Sequence, residues 1–110
     1  MPLQHSDLDR RSLAIHRLAV EKLEREPALL ERARSILARW REASSARTAP
    51  ALDEWQRLLD SDGGQGALSA ALEETERAAQ LRQSSPLACL LTSQERFAII
   101  KQWRSPHAKA

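Results

Sequence analysis

Residues 6–25 read SDLDRRSLAIHRLAVEKLER, and this stretch decides the fold class. Its apolar side chains recur at three- and four-residue spacing, which places them on one broad face of a helix. Ser6 and Asp9 have the spacing of a capping box at a helix start. Pro27 ends the segment, because the residue before a proline is pushed out of the α region. We therefore predict a helix from about Ser6 to Arg25.

The same period continues outward from this helix and predicts four more. They cover about residues 27–43, 49–61, 66–83 and 92–104, with a bend near Thr75 in the third of these. The run from Leu87 to Leu91 is apolar and must be buried. Tyr is absent and Phe occurs once, so a sheet has little to build with. We predict an all-α protein, a single compact domain of four to five helices spanning residues 1–110, with flexible tails at 1–5 and 105–110.

Composition is that of an ordinary globular protein, with 42% hydrophobic and 29% charged residues in a chain of 110. Cys89 is the only cysteine, so no internal disulfide can form, which is normal in a reducing cytosol. The start of the chain has neither the basic residues nor the apolar run of a signal peptide, and no stretch approaches the length of a membrane span. We expect a cytoplasmic protein without a membrane partner.

Charge is unevenly distributed, although the net charge is only +2. Residues 53–76 carry seven acidic side chains against Arg57 alone, and residues 77–110 carry six basic side chains against Glu95 alone. Such an arrangement suits partners of opposite sign, or it forms solvated helix faces with no further role.

Motifs for metal and phosphate chemistry do not occur. One cysteine and three histidines give no metal-ligand spacing, so we predict no metal and no cofactor. The run Gly63-Gly64-Gln65-Gly66 lacks the pattern of a phosphate-binding loop and follows no strand, so it is typical of a helix–helix loop.

One catalytic alternative stays open. Arg11 and His16 match the R-x4-H motif, and Arg10 would give R-x5-H, which resembles HEPN-family ribonucleases. The resemblance implies that His16 would act as general acid–base on RNA while the arginine holds the phosphate. The alternative role of His16 is structural, as a semi-buried histidine with a local hydrogen bond.

The segment from Leu81 to Arg104 is the predicted partner-binding part of the chain. It combines a polar turn, an apolar run and a closing Trp-Arg pair of the kind enriched in interface hot spots. We expect Arg82 and Ser85 to be exposed. The alternative is that the apolar run simply closes the core. The predicted contact residues are Arg82, Ser84, Ser85, Pro86, Leu87, Trp103 and Arg104.

Several segments together resemble a group of small bacterial antitoxin-like proteins from two-gene toxin–antitoxin pairs. Where that group tends to have Phe and Gly after the proline, this chain has Leu87 and Cys89. The resemblance implies no catalytic residues. It rests on RSLAIHR at 11–17, EPALL at 26–30, RW at 39–40, EW and LL at 54–59, LRQSSP at 81–86, Leu90 and ER at 95–96.

The sequence therefore favours a non-catalytic binding protein. As the resemblance implies, it would be an antitoxin-like subunit that neutralises a toxin enzyme by protein–protein contact. The acidic stretch 53–76 would complement a basic toxin surface. The first alternative is a nucleic-acid-binding helical protein that uses the basic segment 77–110, and the second is a HEPN-like ribonuclease.

Overall fold

Helices account for all the regular structure that the described residues form. The computed structural model describes the backbone of residues 2–109 and the side chains of residues 9–102. Within these bounds there is no β-strand, so the predicted all-α class is confirmed. The α-helices are α1 (Pro2–Arg25), α2 (Leu29–Ala43), α3 (Ala49–Leu59), α4 (Gln65–Leu72), α5 (Glu76–Arg82) and α6 (Ser93–Lys109), and two 3₁₀ helices cover Ser61–Gly64 and Leu87–Leu90.

The longest helix, α1, organises the others around it. It contacts α4, α5, α6 and the second 3₁₀ helix, while α2 packs against α3 and the same 3₁₀ helix. The predicted end at Arg25 is confirmed, whereas the helix begins at Pro2 rather than near Ser6. Over the described part of the chain, no helix is both long and apolar enough to cross a bilayer.

Residues 2–109 form six α-helices, not the predicted four to five, because the predicted helix over 66–83 is broken in two. Glu73 leaves α4 in an extended conformation, with φ −68° and ψ 139°. Thr75 is also extended, and its Oγ1 accepts a hydrogen bond from the Ala78 backbone N–H at 3.1 Å. Thr75 is thus the N-cap of a new helix rather than the bend of a continuous one.

The turn between α3 and α4 depends on left-handed backbone. Asp62, Gly63 and Gly64 have φ values of 50°, 64° and 100°, as expected for the predicted breaker at 62–64. At Gly64 a Cβ atom would lie 2.6 Å from Cδ2 of Leu30, so a larger residue meets both strain and a clash. Gly64 therefore allows α2 and the start of α4 to approach closely.

The core is centred on Trp55 of α3, which is fully buried. Its Nε1 donates a hydrogen bond to the carbonyl oxygen of Leu81 at 2.9 Å, so the one polar atom of the indole is satisfied. In the apolar run at 87–91, Leu87, Leu90 and Leu91 are buried as predicted, whereas Ala88 and Cys89 are half-buried. Ile99 of α6 closes the core, whereas Phe97 of the same helix is 62% exposed.

Replacement of Trp55 tests this arrangement. We expect Trp55→Phe to lower the free energy of unfolding by roughly 1–2 kcal/mol, because it removes the bond to Leu81 and part of the ring volume. Trp55→Ala should cost about 3–5 kcal/mol, since it leaves a large cavity. Urea unfolding of the two variants measures both values. Equal stability of the wild type and Trp55→Phe would contradict the role of the indole.

Candidate functional site

A buried arginine at the end of α5 joins three helices. Arg82 is 4% exposed, and its Nη1 donates to the carbonyl oxygens of Ala71 at 3.0 Å and Glu73 at 2.8 Å. These carbonyls belong to the end of α4 and have no partner within that helix, so the guanidinium caps its negative dipole end. Nη2 donates to Oδ1 of Asp9 in α1 at 3.2 Å. One side chain thus fixes α1, α4 and α5 relative to one another.

His16 of α1 is buried in a defined tautomer. The residue is 1% exposed, and Nδ1 lies 2.7 Å from the carbonyl oxygen of Ser12. A carbonyl only accepts, so Nδ1 carries the proton and Nε2 presents a lone pair when the ring is neutral. Burial holds the pKa of His16 below its ordinary value, the bond to Ser12 opposes this shift, and the charge of Arg82 adds to it. The predicted local hydrogen bond is confirmed, and the ring is more completely buried than the predicted semi-buried histidine.

Both residues line one cavity of about 320 Å³. This is at the small end of the range for ligand pockets in proteins. Among residues 9–102, whose side chains are described, its wall contains three guanidinium groups, an imidazole and two hydroxyls, and no carboxylate. The lining residues are Arg11, Ser12, Ile15 and His16 from α1, Trp40 from α2, Arg82, Gln83 and Ser85 around the end of α5, Ala88 and Cys89 from the second 3₁₀ helix, and Arg96 from α6.

Three buried polar atoms among the described residues have no hydrogen-bond partner, and all three belong to residues of this cavity. They are Nε of Arg11, Nε2 of His16 and Nε of Arg82. Buried polar groups are nearly always paired, and an unpaired one costs free energy. Two N–H donors and one lone pair therefore lack partners on side chains that line one cationic cavity.

The structure brings Arg11 and His16 of the R-x4-H match to this cavity, whereas Arg10 is exposed and does not line it. The catalytic role of the pair stays a prediction. Sequence reasoning missed Trp40, Cys89 and Arg96 as lining residues. Their spacing carries no such signal, because the cavity forms only when residues 82–96 fold back onto α1.

Several of the predicted partner-binding residues are less exposed to solvent than expected. Arg82 and Ser85 were expected on the surface and are 4% and 5% exposed, because Arg82 caps α4 and the Ser85 Oγ accepts from the Leu87 backbone N–H at 3.1 Å. Pro86 and Leu87 are fully buried as well, and Ser84 is half-buried. The side chains of Trp103 and Arg104 lie outside the described residues. The turn at 82–86 therefore faces the interior and the cavity, as the core-closing alternative requires.

The acidic stretch 53–76 pairs with arginines of the same chain. These contacts screen the carboxylates, and the Arg34 guanidinium, helped by Gln56, holds the pKa of Asp60 below its usual range. The negative electrostatic field that residues 53–76 present to a basic partner is therefore weaker than their composition indicates. The pairs are Asp53 with Arg41, Glu54 with Arg57 and Arg77, Asp60 with Arg34, and Glu74 with Arg17.

The start of α6 is tied to α1 by a mixed network. Thr92 and Glu95 form a capping box, in which the Thr92 N–H donates to the carboxylate at 2.7 Å and the Glu95 N–H donates to Oγ1 at 3.1 Å. Lys22 Nζ donates to the same carboxylate at 2.8 Å and to the Leu90 carbonyl at 3.1 Å. The lysine lowers the pKa of Glu95 most, and the Thr92 N–H adds to this. The network fixes Arg96 at the cavity and leaves Phe97 outside the core.

Comparison with known proteins gives no relative. No family model, no curated protein and no solved structure matches the chain. Within the described residues, no three His, Cys, Asp or Glu side chains converge as metal ligands would.

Loss of the buried guanidinium should destabilise the fold. We expect Arg82→Ala to lower the free energy of unfolding by roughly 2–4 kcal/mol, because it strands two carbonyls and unpairs Asp9. Arg77→Ala is the matched control. Its side chain is 72% exposed and its ion pair with Glu54 is superficial, so the loss should be no more than about 0.5 kcal/mol. Similar urea midpoints for the two variants would contradict the capping role.

Burial of neutral His16 should make stability depend on pH. The unfolded chain takes up this proton near pH 6.5, whereas the folded chain binds it only at lower pH. Stability is therefore fully present above about pH 7.5 and falls as the pH drops toward the folded pKa, by at most about 1.4 kcal/mol per pH unit. The charge of Arg82 acts on the ring, and Arg11 and Arg96 line the same cavity.

Thermal unfolding at pH 7.5 and 5.5 measures this loss, and His16→Leu is the comparison because leucine does not titrate. The variant should lose less stability than the wild type between the two pH values. An identical decrease in both proteins would assign the effect to other groups.

Proposed function

We propose that this chain is a non-catalytic binding protein, an antitoxin-like subunit that neutralises a toxin enzyme by protein–protein contact. The observation that carries the proposal is Phe97, a phenyl ring that is 62% exposed on α6. It is flanked by the exposed cations Arg96 and Lys101. Aromatic and arginine side chains dominate interface hot spots, where burial of the ring supplies most of the gain.

The contact surface of this proposal is α6 from Arg96 to Lys101 rather than the acidic stretch 53–76. Arginines of the same chain already occupy most of the carboxylates in that stretch. Arg96 and Lys101 take part in no ion pair among the described residues. A partner surface with an apolar depression and an acidic rim complements α6. Trp103 and Arg104, predicted from the sequence as contacts, follow on the same helix.

Replacement of Phe97 tests the proposal with the enzyme encoded by the adjacent gene. We expect Phe97→Ser to weaken the complex by about 2 kcal/mol, near thirtyfold in Kd, because a hot-spot ring is lost. The stability of the isolated chain should change by less than about 0.5 kcal/mol, since the ring is exposed. Calorimetric titration measures the first quantity and thermal unfolding the second.

Arg39→Ser, an exposed change on α2, is the control and should leave binding unchanged. Unaltered affinity in Phe97→Ser would contradict the proposal, as would an adjacent product that shows no binding to the wild type. Cleavage of RNA by the purified chain, lost in Arg11→Ala or His16→Ala, would replace it with the ribonuclease alternative.

A nucleic-acid-binding role is the second candidate. It is supported by the exposed Arg96 and Lys101 on α6 together with the guanidinium groups in the cavity. Phosphate contacts by such cations depend steeply on salt. A duplex or single strand that binds the chain with a marked salt dependence, lost in the Arg96→Ala/Lys101→Ala double variant, would favour this function over protein contact.

A further inference from the structure

A cavity lies between α1, α2, α5, the second 3₁₀ helix and α6. Its wall carries more positive charge than the contacts of the fold compensate. Arg82 is compensated by Asp9 and the end of α4. Arg11 and Arg96 also line the cavity, and none of its lining residues with a described side chain is a carboxylate. Like charges around one small volume repel each other, and this repulsion is relieved when an anion enters. The net charge of the wall therefore selects an anionic ligand.

The unpaired atoms narrow the class of anion. Nε of Arg11 and Nε of Arg82 are N–H donors and require acceptors, whereas Nε2 of neutral His16 requires a donor. A carboxylate or sulfate at neutral pH offers acceptors only. A phosphate monoester offers both near pH 6, because its second pKa lies there and about half of it then carries one P–OH group.

The aromatic wall narrows the class further. The half-buried Trp40 lines the same cavity as the arginines. An indole beside cationic groups supports a flat ring by stacking, while the cations hold its phosphate. A volume of about 320 Å³ fits one small ligand or one terminal unit of a larger one.

We propose that this cavity is a binding site for a phosphate monoester of nucleotide size. Arg11, Arg82 and Arg96 hold the phosphate, His16 Nε2 accepts a hydrogen bond from its P–OH group, and Trp40 supports the attached ring. The site shares Arg96 with the α6 surface proposed for partner contact, whereas Phe97 belongs to that surface alone, because it does not line the cavity. The monoester is either a free nucleotide or the 5′ end of a strand, and the two sources share this chemistry.

Calorimetric titration of the full chain with adenosine 5′-monophosphate tests the site. We expect binding that weakens with salt and is lost with adenosine. Arg96→Ala should weaken it roughly tenfold, the equivalent of one charge-assisted hydrogen bond. Arg39→Ala removes one exposed guanidinium outside the cavity and should leave the affinity within about twofold, so it controls for general charge.

The affinities for inorganic phosphate and sulfate, compared near pH 6, test the hydrogen bond that His16 accepts from the P–OH group. The wild type should bind phosphate more tightly than sulfate. The ratio of the two affinities should fall about tenfold in His16→Leu and stay unchanged in Arg96→Ala. Trp40→Leu should reduce the advantage of the nucleotide over inorganic phosphate. Thermal unfolding confirms that each variant is folded, and Arg82 is left unchanged because it also supports the fold.

Short single strands with and without a 5′-phosphate identify the source of the ligand. Binding of the nucleotide alone assigns a free metabolite, and binding only of the phosphorylated strand assigns a strand end. Both support the site. Equal binding of strands with and without the 5′-phosphate would overturn the monoester, and so would equal affinity for phosphate and sulfate in the wild type. The absence of any binding to the folded wild type would overturn the proposal while leaving the Phe97 test of partner contact unaffected.

Discussion

The buried guanidinium of Arg82 is the interaction on which the rest of the structure depends. A charge placed in the interior is tolerated only where its hydrogen bonds are satisfied. Here two carbonyls at the end of α4 and the carboxylate of Asp9 provide this. In return, the guanidinium satisfies carbonyl groups at the end of α4 that would otherwise have no partner, and its bond to Asp9 holds α5 against α1. The break at 73–75 follows from this arrangement, because a continuous helix would not present the Ala71 and Glu73 carbonyls to one group.

The same residue connects the fold with the candidate site. Its Nη atoms are committed to the scaffold while its Nε remains without a partner at the cavity. His16 is divided in a similar way, with Nδ1 bonded to Ser12 and Nε2 unpaired. Each side chain thus has one edge that fixes its orientation and another that has no hydrogen-bond partner. Such preorganisation lowers the cost of ordering a site when a ligand binds.

More of the fold than of the candidate site could be predicted from the sequence. The apolar period of α1, the breaks at Pro27 and 62–64, and the burial of the leucines at 87–91 all follow from local rules and are confirmed. The split of the helix over 66–83 was not predicted as such, because it depends on Arg82 bonding across 9 and 11 residues. Arg82 and Ser85 were placed outside since polar residues in a turn usually are. The arginines that neutralise the acidic stretch come from α1, α2 and α5, and composition counted within one segment cannot reveal them.

The walls of the cavity come from opposite ends of the chain, since Arg11 and His16 precede Arg96 by about eighty residues. During synthesis the site therefore cannot exist until the beginning of α6 has left the ribosome. A ligand that requires all the walls binds only the completed native state and stabilises it by mass action. Occupancy of the cavity would then report that folding has finished, so a truncated or partly folded chain would be distinguished from a mature one by its ligand alone.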